Sequence, residues 1–79
     1  MKTLQLNKYQ FVMQLKAAGK LAAFKTYITG LAVDDDVRLY WEFHPFVDRF
    51  SILVDALQAD AGYTDTQVDN FFNTAGAIE

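Results

Sequence analysis

The sequence predicts an all-α fold: a small helical bundle forming one domain over residues 1–79. It has two short N-terminal helices, a long central helix kinked at Pro45 and a capped C-terminal helix. Three observations predict it. Gly19, Gly30, Gly62 and Gly76 each follow a stretch of helical periodicity, as C-terminal caps do. No stretch alternates apolar and polar residues between hairpin turn signals, so no sheet is expected. Finally, Leu39, Phe43, Phe46, Phe50, Leu53 and Leu57 follow one another at spacings of 4, 3, 4, 3 and 4, the seam of a coiled coil. A chain of 79 residues, 52% of them hydrophobic, suffices for one core.

The first helix starts near Asn7, a good cap, and places Phe11, Val12, Leu15 and Ala18 on one face. The second carries Leu21, Phe24, Ile28 and Leu31 at helical spacing. Asp34, Asp35 and Asp36 are a helix N-terminus, their charges opposing the macrodipole. Behind them the seam keeps its phase straight through Pro45, which favours one helix from Asp36 to Ala61. Against that, Pro45 cannot donate to the Trp41 carbonyl, at a cost of about 3 kcal/mol in a helix interior, and pushes His44 away from helical geometry. The competing reading starts a new helix with Pro45 in its first position. The last helix opens on the capping box Thr64-x-x-Gln67, with Val68, Phe71, Phe72 and Ala75 as its stripe. Asp65 and Asp69 sit near its positive end.

Composition narrows the function. With no Cys, disulfides and thiolate metal sites are excluded, and an intracellular or virion setting fits best. No apolar run approaches the roughly 20 residues of a membrane span. Asn7, Lys8, Gln10, Gln14 and Lys16 break up any signal-peptide core. Charge is divided along the chain. Lys2, Lys8, Lys16, Lys20 and Lys25 give +5 before position 34, and the remainder carries −8, for a net charge of −3. Such halves attract each other, within one molecule or between neighbours. The lysines of the first two helices have no acid for local pairing, so they are either solvated or matched to acids elsewhere.

No constellation carries chemistry. The aspartate run lacks the glycine and the closing glutamate of a calcium loop, for those places hold Leu39 and Pro45. One His without Cys makes no zinc site. His44, Asp48, Ser51 and Asp55 would form one stripe of the central helix, with side chains parallel rather than converging on a substrate. No Gly-rich loop offers a phosphate cradle or an oxyanion hole. A DNA-reading central helix would open with three aspartates facing a polyanion. No cofactor, metal or catalytic residue is assigned, and the chain reads as a non-enzyme.

Two motifs resemble a known group. Val37-Arg38-x-x-Trp41-Glu42-Phe43 and Gly62-x-Thr64-x-x-Gln67-Val68-Asp69-x-Phe71-Phe72-x-x-Ala75 are similar to motifs in small proteins of tailed bacteriophages and prophages, encoded among virion and tail genes. In that group a Val-Arg-x-x-Trp-Glu-aromatic motif leads a long helix, and a Gly-x-Thr-x-x-Gln-Ile-Asp-x-x-Phe motif forms the closing one. The resemblance covers about residues 36–75. The chain departs from it in having the His-Pro pair nearer the Trp, and in Tyr63 and Phe71 where aliphatics are usual. It implies a phage or prophage setting, in the host bacterial cytoplasm or the virion, and no catalytic residue.

The expected function is therefore protein–protein interaction, in virion or tail assembly. Tyr40, Trp41, Phe43 and Phe46 are the candidate partner interface, and the Leu39–Leu57 seam, if left open, is a face for a homodimer. Lys8, Lys16, Lys20, Lys25, Asp34, Asp35 and Asp36 are candidate electrostatic contacts. A small acidic inhibitor of a host nucleic-acid enzyme is the main alternative, with the aspartates mimicking phosphate. A nucleic-acid binder using the lysines is the other. Two structural findings would overturn the reading of the centre as packing: Trp41 and His44 lining a deep polar cavity, or a sheet in place of the bent rod.

Overall fold

Pro45 decides the topology. A computed structural model describes residues 3–78, so Lys2 lies outside the described residues. The chain runs β1 (Gln5–Asn7), α1 (Lys8–Ala17), α2 (Leu21–Thr29), α3 (Asp36–Phe43), β2 (Phe46–Asp48), α4 (Ile52–Ala61) and α5 (Asp65–Ala75). The fold is thus mainly α-helical, and the expectation of no sheet is corrected by a two-stranded antiparallel one.

The long central helix does not form. Helix α3 stops at Phe43, and His44 is extended at φ −84° and ψ 125°, the geometry that a following proline enforces. The competing reading fails as well, since Pro45 leads into β2 and the next helix starts at Ile52 behind the N-cap Ser51. Once extended, residues 46–48 need partners for their backbone groups, and β1 supplies them. Gln5, Leu6 and Asn7 face Asp48, Val47 and Phe46 in register. The ladder continues at both ends, with Lys8 N donating to the Pro45 carbonyl and Arg49 N to that of Leu4. Only Leu6 and Val47 turn inward. A sheet therefore stands where the bent rod was expected, which overturns the reading of the centre as one packed seam: Leu53 and Leu57 are buried, while Leu39, Phe43, Phe46 and Phe50 are exposed.

Local signals set the helix ends. Both capping boxes are closed, Asn7 with Gln10 and Thr64 with Gln67. Asp35 is the N-cap of α3, its carboxylate accepting from Val37 N at 2.9 Å. Each glycine follows a helix, but only Gly19 and Gly62 use the left-handed region, both at φ 72°.

One core gathers these elements. Phe11 of α1 sits at its centre, its ring edge-on to Phe24, Trp41, Phe71 and Phe72 at centroid distances of 5.4–6.5 Å. Such pairs add about 0.5–1.5 kcal/mol each beyond burial itself. Leu15, Ile28, Val54, Leu57 and Val68 close the packing round them. Among the described residues no helix is long and apolar enough to cross a membrane.

Candidate protein-interaction surface

Helix α3 is held on one side and open on the other. Val37, Tyr40 and Trp41 pack against the core, and Trp41 lies 5.5 Å from the Phe24 ring. Leu39 and Phe43, four residues apart and so neighbours on a helix, face water, with Phe43 76% exposed. Both helix ends are clamped by cations. Arg38 donates to the carbonyls of Leu31 and Thr29 at 2.9 and 3.3 Å, tying α3 to the end of α2, and pairs with Glu42 at 3.0 Å.

At the far end, Pro45 leaves the Trp41 carbonyl without its helical donor. Lys8 of α1 fills the place: its Nζ donates to the Trp41 carbonyl and lies 5.0 Å from the indole centroid. Burial pushes the Lys8 ammonium below its usual pKa, and the charge of Glu42 opposes that shift only in part.

Beyond α3, the His44 ring stacks on Tyr40 at 4.4 Å, and the Tyr40 hydroxyl accepts from Asp48 N at 3.2 Å. Phe46 stands on the outer face of β2, partly exposed. Further on, Phe50 is 82% exposed at the mouth of a cleft of about 440 Å³. Leu4, Arg49, Asp55, Gln58, Asp65 and Asp69 line the rest of it. Among the described residues Arg49 is the buried cation. Its Nε donates to Asp69 at 2.9 Å, Nη2 donates to the Asp65 carbonyl at 3.3 Å, and Cζ lies 4.9 Å from the Phe50 centroid.

The expected contact residues thus separate. Phe43 and Phe46 are exposed, whereas Tyr40 and Trp41 are half-buried against the core. The face expected for a homodimer is not continuous, because Leu53 and Leu57 belong to this chain's own core. Lys8 is engaged internally. Lys16 and Lys25 are exposed and Lys20 half-buried, and no ion pair among the described residues involves them. Asp34 and Asp36 are exposed, while Asp35 is spent on its cap.

The polar stripe disappears with the helix that would have carried it. Asp48 accepts from Gln5 at 2.8 Å, and Ser51 caps α4 while donating to the Asp48 carbonyl at 2.8 Å. Trp41 packs among Phe11 and Phe24, and His44 is exposed. Among the described residues no group of three or more His, Asp or Glu is placed to hold a metal ion.

Sequence reasoning missed Arg49 as a cleft residue. It offered Leu39 and Phe50 as surface only as members of the Leu39–Leu57 seam, not as separate exposed positions. Arg49 carried one usable signal, a cation beside an apolar stretch with Asp65 and Asp69 near the start of the last helix. No protein-family model, curated protein or solved structure matches the chain.

Proposed function

We propose that this chain is a non-enzymatic phage or prophage protein that works by binding other proteins, in assembly of the virion or its tail. The observation that carries the interaction reading is the outer face of α3, where Leu39 and Phe43 stay in water beside an otherwise closed core. A phenylalanine left exposed forgoes about 1.5–3 kcal/mol of burial, and adjacent apolar side chains on a clamped helix form a ready contact surface. Phe46 extends the apolar character past the turn. The non-enzymatic reading is supported by the separate structural tasks of His44, Asp48 and Ser51. The setting is supported by the likeness of residues 36–75 to small tailed-phage proteins, and it implies the host bacterial cytoplasm or the virion.

The test is affinity capture with the tagged chain from infected or induced cells, run beside Phe43→Ser. The expected result is a head or tail component held by the unmodified chain and lost with Phe43→Ser. Recovery instead of a host nucleic-acid enzyme, released by moderate salt and indifferent to Phe43→Ser, would support the acidic-inhibitor reading. Exposed Asp34 and Asp36 are what that reading would use.

A further inference from the structure

The Phe50 cleft and the lysines of the α1–α2 corner are complementary surfaces that one molecule cannot bring together. Asp55, Asp65 and Asp69 line the cleft together with Arg49. Arg49 is already bound to Asp69 and lies 3.9 Å from the Asp65 carboxylate. Asp55 is exposed, and its carboxylate has no hydrogen-bond or ion-pair partner among the described residues. Arg49 covers one face of the Phe50 ring, and with 82% of that residue in water the other face is bare. Two carboxylates beside an open aromatic face are what an ammonium group seeks.

Lys16, Lys20 and Lys25 are cations without a local counter-charge, for no acid precedes Asp34 in the chain. Lys16 and Lys20, near the end of α1, lie away from this cleft in their own molecule. The end of α1, through Gln14 and Ala18, meets α5 at Gln67, Asn70 and Thr74, whereas Asp65 and Asp69 face the cleft. At 3.6 residues per turn those two sets occupy opposite sides of α5. For Lys16 and Lys20 the attraction implied by the divided charge is therefore left to act between molecules.

We infer that a second copy of this chain seats the lysines of its α1–α2 corner in the Phe50 cleft, head to tail. The charge complementarity is supplied by the chain itself, at equal numbers of donor and acceptor faces. Because the two faces differ, the contact is heterologous, and each copy keeps one free face for the next, so that rings or filaments follow. The inference is independent of the Leu39–Phe43 face.

Sedimentation and light scattering over a salt series test it. The apparent mass should exceed the monomer's 9.0 kDa at about 0.01 M salt, and return to it at about 1 M, where screening falls to about 3 Å. Lys16→Glu with Lys20→Glu, and separately Asp55→Lys with Asp65→Lys, should each weaken self-association by about tenfold or more. Mixed together, the two variants should associate again, since each brings one intact face and the two reversed faces carry opposite charge. Circular dichroism checks that both are folded, and Asp55→Asn stands in for the double reversal if that variant is not. A monomer at every salt concentration overturns the inference. So does association that survives both pairs of reversals, or that is lost with Phe43→Ser instead.

Discussion

Pro45 removes the amide that the Trp41 carbonyl would accept from in a helix, and Lys8 answers from another element with its ammonium while its own amide holds the Pro45 carbonyl. Arg38 does the same for the end of α2. Neither helix has a basic residue in its own last turn, so both ends are served across the fold by cations that the macrodipole favours. No spacing rule announces this, because Lys8 and Trp41 are 33 residues apart.

The cost shows in the Lys8 pKa, which burial lowers from 10.5 despite Glu42. With the folded value depressed, the unfolded chain binds more protons as pH approaches 10.5. The sign is then fixed. At pH well below the folded value Lys8 is protonated in both states and contributes no slope. As pH rises from the folded value towards 10.5, its contribution increases stability. Urea unfolding at stepped alkaline pH should show that upward contribution in the unmodified chain and not in Lys8→Met. Parallel curves for the two proteins would remove burial of this charge as the cause.

Elements are bounded by signals of different range. The capping boxes at Asn7 and Thr64 and the cap at Asp35 each join residues at most three apart, and each is readable along the chain. The Gly62 turn is equally local. Its φ of 72° is the reason for glycine there, since a Cβ would meet nothing within 4 Å. Gly62→Ala should therefore lower stability by about 1–2 kcal/mol through backbone strain alone, with helix content unchanged in circular dichroism. No loss of stability would mean that the left-handed cap is not required. Gly76 makes a contrast: its backbone is right-handed, and an added Cβ would lie 2.9 Å from the Thr3 hydroxyl. Strand β2 is where local reading failed. Three residues carry a single inward side chain, Val47, too little for alternation to register, and β1 lies some forty residues away. Meanwhile the 3-4 spacing of Phe43, Phe46 and Phe50 continued a helical phase that the backbone does not follow.

The whole molecule is fastened by Arg49. It joins the end of β2 to the first turns of α5, and its side chain is removed from water. Breaking a buried pair from one side costs about 3–5 kcal/mol, and the partly wet carboxylate of Asp69 places this pair at the lower end. Arg49→Met should thus destabilise the fold by about 3 kcal/mol in urea unfolding. A double-mutant cycle with Asp69→Asn should give a coupling above about 1 kcal/mol. Coupling near zero would leave Arg49 a bystander.

The radius of gyration, 11.6 Å, is what a chain of this size reaches only when it is packed throughout. The helices' apolar stripes and their caps were determined along the chain, because each rests on residues within a turn or two of one another, and the divided charge because it needs only composition. Tertiary structure alone decided that residues 46–48 join residues 5–7. It also decided that Leu53 and Leu57 go inside while Leu39, Phe43 and Phe50 stay out. Those outcomes depend on which distant backbone groups and cations meet the gap left by one proline, and no local pattern records such a meeting.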